Sequence, residues 1–327
     1  MPERLVLADL PPDYGDARAE YDAVRRHAGI VDRSGLGVLE VTGKDRTSFL
    51  HALVSNDVKA LAPGQTCGAT LLDIHGKVQL TLLVWALEDR VWLITPPGTA
   101  AFALEAFDKY LFSEKAYFAD VTGDLALSML AGPQAPAIVE RVAGELAGVD
   151  VRRAPGVGET GGPELWMAVP SGDSARAWQA AIGAGARAVG ATAFESLRIE
   201  AGTPLFGRDV DDTVLLPEIP TARLLSHSKG CYPGQEVVVR IRDRGHVNRL
   251  LRGLVIDGHS VPERGADVVV EGAVIGRVTS ATSSIGLGRP IALGFVRRQH
   301  AEAGAAVGVR IGDTVTATRV SDLPFPR

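Results

Sequence analysis

From Asn248 onward the chain carries no helical period. It breaks into short apolar runs, Leu250 to Ile256, Asp267 to Val270, Ala273 to Thr279, Ala292 to Val296 and Val307 to Val320, separated by Gly, Pro and Asp. Short strands punctuated at that spacing close on themselves as a small barrel or sandwich, so a separate C-terminal β-barrel unit is predicted over 248–327. The preceding region, 1–247, reads differently. Gly37 to Thr42 (GVLEVT) alternates as a half-buried strand, and Lys44 to Val54 follows with Phe49, Leu50 and Leu53 at helical spacing. Further strands are predicted at Leu71 to Leu72, Val78 to Leu87, Val91 to Thr95, Leu125 to Leu130 and Leu165 to Val169. Helices fit Thr99 to Leu111, Ala135 to Leu146, Ser174 to Gly183 and Ala191 to Ile199. Single helices among mostly antiparallel strands predict an α+β fold, two interleaved subdomains preceding the barrel, and not a doubly wound sheet.

A length of 327 residues supports two or three units, each with a core of its own. The net charge of −5 argues against a broadly basic nucleic-acid surface, because phosphate binding draws on clustered Lys and Arg. Nucleic acid survives only as a minor reading confined to Arg240 to Arg252 (RIRDRGHVNRLLR), where five arginines accompany one aspartate. No run of about 18 apolar residues is present, and Met1 to Gly15 lacks a basic segment leading into an apolar one. No membrane partner is expected, and the expected location is the cytoplasm. Cys67 and Cys231 stand far apart with no CxxC pattern, which suits a reducing compartment.

The glycines of RSGLGVLEVTG (Arg33 to Gly43) do not make a dinucleotide fingerprint, because a strand and not a helix follows them. His227, four residues before Cys231, could serve it as a base or a shared metal ligand, yet two donors do not fill the shell zinc prefers. No metal site is expected. The stretch HSKGCYPGQEVVVRIRDRG (His227 to Gly245) is the most informative. Lys229 is expected to favour the Cys231 thiolate by charge attraction, and a helix opened by Pro233 through Gln235 and Glu236 would add to that effect. A single cysteine is more commonly a small buried apolar residue, so these features alone decide nothing.

The pattern K-G-C-Y-x-G-Q-E at Lys229, Gly230, Cys231, Tyr232, Gly234, Gln235 and Glu236, with Arg240 four residues beyond, resembles the signature of the YgfZ/IBA57 (Caf17) family. That family lies within the glycine-cleavage T-protein superfamily. DRSGLGVLEVTGKDRTSFLHALVSNDVKALAPGQ (Asp32 to Gln65), LLDIHGKV (Leu71 to Val78) and ESLRIEAGTPLFGRD (Glu195 to Asp209) are similar to superfamily segments in the same order. The resemblance implies three units in a ring around a central hole that binds tetrahydrofolate. It places Glu200 on the pterin, where a carboxylate accepts N–H donors. It further implies Arg198, Asp73, Tyr232, Gln235, Glu236 and Arg240 around the cofactor, with Cys231 and Lys229 as the functional thiol and its cation.

One departure matters. Aminomethyltransferases carry an aspartate pair after the glycine turn, and the matching positions are Leu80 and Thr81, while Asp73 lies on the other side of that turn. Without the proton acceptor that general acid–base chemistry needs, aminomethyl transfer is not expected. The resemblance therefore implies a tetrahydrofolate-binding accessory protein that supports iron–sulfur cluster assembly or repair in client enzymes, tRNA-modifying ones included. The alternative is a folate-dependent methyltransferase, demethylase or aminomethyltransferase-like enzyme.

Overall fold

Asp16 starts the first helix by accepting the Ala19 N–H at 3.0 Å, the usual way a short acidic side chain satisfies a free donor at a helix start. The computed structural model describes residues 10–326; the first nine residues of the leader reading, Met1 to Gly15, lie outside them. Helix α1 (Ala17–Arg26) leads into β1 (Gly29–Asp32), β2 (Gly37–Thr42), α2 (Arg46–Leu53), β3 (Thr66–Leu72), β4 (Val78–Ala86), β5 (Val91–Thr95), α3 (Ala100–Asp108) and β6 (Tyr117–Asp120). There follow β7 (Leu125–Ala131), α4 (Ala135–Glu145), β8 (Arg152–Pro155), β9 (Glu164–Pro170), α5 (Ser174–Gly183), β10 (Arg187–Ala188), α6 (Ala191–Glu200) and α7 (Gln235–Arg244). The chain ends in β11 (Arg249–Ile256), β12 (Asp267–Val270), β13 (Ala273–Ser284), β14 (Arg289–Arg297), β15 (Ala306–Ile311) and β16 (Thr314–Ser321).

Two five-stranded sheets, β3-β4-β5-β2-β6 and β10-β1-β7-β9-β8, precede a closed barrel in the order β11-β14-β13-β12-β15-β16. The pairings are antiparallel except β1 with β10. The period of two along each strand explains the layers. Val38, Trp85, Trp92 and Ile94 of the first sheet meet Val31, Leu127, Met129 and Trp166 of the second in one core. Their neighbours Leu39, Val84 and Leu93 turn the other way, onto α2 and α3. Met167 and Val169 likewise point away from Trp166, onto α4 and α5. A strand covered on both faces reads as a continuous apolar run, which is how Leu82 to Ala86 of β4 appears in the sequence.

Helix α6 is buried over most of its circumference, as a helix at the junction of three units must be. Helix α1, absent from the elements expected above, buries Tyr21 and Val24 in the core between the sheets, and the Glu20 carboxylate adds a buried polar contact by accepting the Tyr14 N–H at 2.5 Å and the Gly190 N–H at 2.9 Å. Strand β6 is largely exposed at a sheet edge, so it too lacks the alternation that would reveal it. Val307 to Val320 is two strands joined at Gly312, whose positive φ of 58° suits a tight hairpin.

Candidate functional site

A cavity of about 250 Å³ opens between the two sheets. Its walls come from β4 (Thr81, Leu83), β5 (Ile94), β9 (Trp166), the segment after α6 and the tail after the barrel (Leu323, Pro324). All three units therefore contribute to it.

Two charged residues face each other in this largely apolar wall. Arg33, just beyond β1, has a side chain 5% exposed and donates to Glu159 at 3.1 Å. Its guanidinium lies 5.6 Å from the Trp166 ring centroid and 5.0 Å from that of Phe194, a cation–π setting that holds it in place. Its Nε–H is buried and has no hydrogen-bond partner among the described residues. A buried donor without a partner costs free energy, and a ligand acceptor would relieve it.

Glu159 is fixed from behind. The Glu164 carboxylate gathers the backbone N–H groups of Gly158 and Glu159 at 2.8 Å each, together with the Thr160 N–H, and accepts the Thr160 hydroxyl at 2.7 Å. Burial, then the Glu159 charge, pushes the Glu164 carboxyl up, against the hydrogen bonds from Thr160 and Glu159. On the other side Thr203 Oγ1 donates to the Glu159 carbonyl at 2.8 Å and accepts from Arg223 at 2.7 Å. Arg33, Glu159, Thr203 and Arg223 were not singled out from the sequence. The one available signal was an acid in a glycine-rich turn, Gly158 to Gly162, directly before β9.

The structure distributes the sequence-derived residues over three places. Glu200 does not line the cavity. Its carboxylate is buried and accepts from Tyr21 (2.5 Å), Arg25 (2.8 Å), Ser196 (2.9 Å), Ser284 (2.6 Å) and the Gly286 N–H (3.1 Å). Burial pushes this carboxyl up, but hydrogen bonds from Ser284, Tyr21, Ser196 and Arg25 outweigh it and hold it below the usual carboxylate range. Its acceptor sites are occupied by protein donors, so the expected free carboxylate for a pterin is absent here. Arg198 is fully buried, pairs with Glu195 one turn back on α6 at 2.8 Å, and ties the helix to Asp209 at 2.8 Å and to Ser280 on the barrel at 2.7 Å. Both residues join units together.

The third place is the loop before α7. Gly234 has φ of 76° and lies so close to the turn at Asp73 that an added Cβ would clash with the Asp73 carbonyl and sit 3.0 Å from the Gly76 Cα. Glycine is required there on both counts. Asp73 itself caps its own turn, accepting the His75 and Lys77 N–H groups at 2.8 and 2.9 Å. Lys229 Nζ donates to the His51 carbonyl and, at 2.6 Å, to the Val54 carbonyl, closing the end of α2 over the Tyr232 ring, 4.7 Å from its centroid. Lys229 caps the end of α2 and has no hydrogen bond to Cys231 among the described residues, while the Cys231 charge acts on the ammonium against the effect of burial. Burial lowers the Lys229 pKa to about 8. Cys231 is exposed, Gln235 and Glu236 form the first turn of α7, and Arg240 is exposed on that helix. None of these lines the cavity.

The arginine strip is also divided. Arg242 pairs with Asp243 on α7, whereas Arg249 and Arg252 on β11 pair with Glu218 and Asp322. Among the described residues no helix is long and apolar enough to cross a membrane.

Comparison with known proteins decides the family. Residues 9–153 match the GCVT N-terminal domain, and residues 249–326 match the glycine cleavage T-protein C-terminal barrel domain. The aminomethyltransferase of Streptomyces avermitilis is 31% identical, with 98% of this chain and 92% of that protein covered. The chain belongs to the glycine-cleavage T-protein family. An aminomethyltransferase of Streptomyces coelicolor is 30% identical over 97% of the chain and 91% of its own length. The glycine cleavage system aminomethyltransferase T of Bartonella henselae shares the fold, with a TM-score of 0.84 at 24% identity, covering 97% of this chain and 91% of that one. Tetrahydrofolate is the cofactor of this T-protein family.

Proposed function

We propose that the chain holds the ring system of tetrahydrofolate in the cavity between the sheets and acts as a folate-dependent one-carbon transferase of the aminomethyltransferase type. The observation that carries this reading is the Arg33–Glu159 pair set against Trp166, in a chain close in length and sequence to aminomethyltransferases. The cofactor supplies a nitrogen carrier for the one-carbon group. Glu159 accepts ring N–H donors, Arg33 Nε–H meets a ring acceptor, and Leu83, Ile94 and Trp166 exclude water. At about 250 Å³ the cavity is smaller than the roughly 300–1,000 Å³ of sites for drug-sized ligands, so the tail of the cofactor stays outside.

Thr81 lines the cavity where the superfamily pattern has a carboxylate. A hydroxyl orients a ligand by hydrogen bonding but is no base near neutral pH. Glu159 is the one acid among the described lining residues, and proton transfer falls to it. A second reading, the YgfZ/IBA57-type accessory role toward iron–sulfur clients, is favoured by the exposed Cys231 on a loop pinned by Lys229 and Gly234.

Calorimetric titration with tetrahydrofolate and its 5-formyl form, followed by a turnover assay with lipoyl-carrier protein, separates the readings. Binding with turnover supports the transferase. Binding without turnover, with rescue of iron–sulfur enzymes in a deletion strain lost in Cys231→Ser, supports the accessory role. Absence of folate binding refutes both.

A further inference from the structure

The barrel carries a second cavity, of about 560 Å³, which shares no lining residue with the first. Five arginines line it, Arg208, Arg249, Arg264, Arg277 and Arg297, against two aspartates. This is a concentrated positive surface in a chain of net charge −5. Strand register puts it together. Arg249 on β11 lies directly opposite Arg297 on β14, and Arg277 on β13 lies opposite Phe295, two residues before Arg297. With side chains alternating along each strand, these three arginines share one face of the sheet. Like charges placed directly opposite each other destabilise a sheet.

Internal pairing accounts for only part of this charge. Arg249 reaches Glu218 at 3.1 Å and stands 4.5 Å from the Phe295 centroid, while Arg208 reaches Glu195 at 3.0 Å. Arg264 donates to the Arg208 carbonyl at 3.0 Å. The Asp209 charge is matched by Arg198 at 2.8 Å. Donors remain open. Among the described residues Arg208 Nε is buried without a hydrogen-bond partner, out of reach of a ligand in the cavity. The exposed Arg297 has no ion pair there, and Arg277, 72% exposed, meets Asp267 only at 3.7 Å.

A concave wall of guanidinium groups with unused donors matches a multiply charged oxyanion, because each planar fork can engage two phosphate oxygens and the concavity concentrates the field. The volume falls within the roughly 300–1,000 Å³ of small-molecule sites. We propose that this cavity binds a phosphorylated small molecule through its di- or triphosphate group, held by Arg277 and Arg297.

The test is calorimetric titration of the full chain with inorganic pyrophosphate, ATP and adenosine at low salt, about 50 mM, where phosphate contacts are strongest. Saturable binding of pyrophosphate and ATP is expected, and none of adenosine. The double variant Arg277→Ala/Arg297→Ala should bind both at least tenfold more weakly, with its tetrahydrofolate titration unchanged and its melting temperature no lower. ATP binding tighter than pyrophosphate identifies a nucleotide as the source; equal affinities identify the polyphosphate group alone. Either supports the site. No saturable binding, unaltered affinity in the double variant, adenosine binding as tight as ATP, or an RNA oligonucleotide that binds more tightly per phosphate than ATP overturns the proposal. Because the folate titration is read separately, failure here leaves the folate reading standing.

Discussion

Replacing Glu200 by alanine tests whether this carboxylate serves a ligand or the fold. In the structure it joins α1, α6 and the barrel by accepting from Tyr21, Arg25, Ser196, Ser284 and Gly286. The Arg25 side chain is 13% exposed, so truncation strands a nearly buried cation along with three hydroxyls and a backbone donor. Breaking a buried pair from one side costs about 3–5 kcal/mol, and urea unfolding at pH 7 should show a loss of that size. Glu200→Gln keeps the shape and some of the bonds but removes the charge, and about 1.5–3 kcal/mol is expected from the charge-assisted bonds. The pH profile supplies a sign. The native carboxyl is held below its usual value, so its contribution is complete above the unfolded value of about 4.3. It is lost as pH falls through the lower native value, and the alanine variant should lack that acid-side decline. Because Glu200 does not line the cavity, the folded variant should keep its tetrahydrofolate affinity to well within the tenfold that about 1.4 kcal/mol represents. A variant of unchanged stability whose folate affinity fell tenfold would refute this account and return Glu200 to the pterin.

Lys229→Met should cost about 1.5–3 kcal/mol, since the His51 and Val54 carbonyls lose a charged donor. With the native ammonium at about 8 and the unfolded one near 10.4, the unfolded chain holds more protons between those values, so stability should rise with pH across that window. Urea midpoints that rise equally in the methionine variant would contradict this. Alkylation at pH 7 should label Cys231, which is exposed, and spare Cys67, whose thiol burial pushes up to about 12. Peptide mapping that finds both labelled at one rate in the folded protein would show that β3 does not shield Cys67.

Local chemistry determined much of what the sequence disclosed. Strands β2, β5 and β12 and helix α5 have the predicted limits, because each is bounded by turn residues and carries its own apolar period. The barrel was visible because short strands with Gly and Asp between them have few other ways to bury one face. The superfamily motifs were legible because backbone requirements demand one residue type, as at Gly76 and Gly234, whose φ values of 77° and 76° lie in the left-handed region. What those motifs do was decided in three dimensions. Glu200 and Lys229 look alike in sequence as charged groups within two residues of a glycine, yet one is enclosed by five donors and the other by the carbonyls at the end of α2, far earlier in the chain. Arg33 and Glu159, 126 positions apart, form the cavity pair only because the two sheets pack face to face. Cross-strand register likewise brings Arg249, Arg277 and Arg297 to one side of the barrel, while the contiguous strip from Arg240 to Arg252 is split between a helix and a strand. Spacing along a chain reports the face of a single element. Whether two elements present their faces to each other depends on long-range packing, which no local pattern encodes.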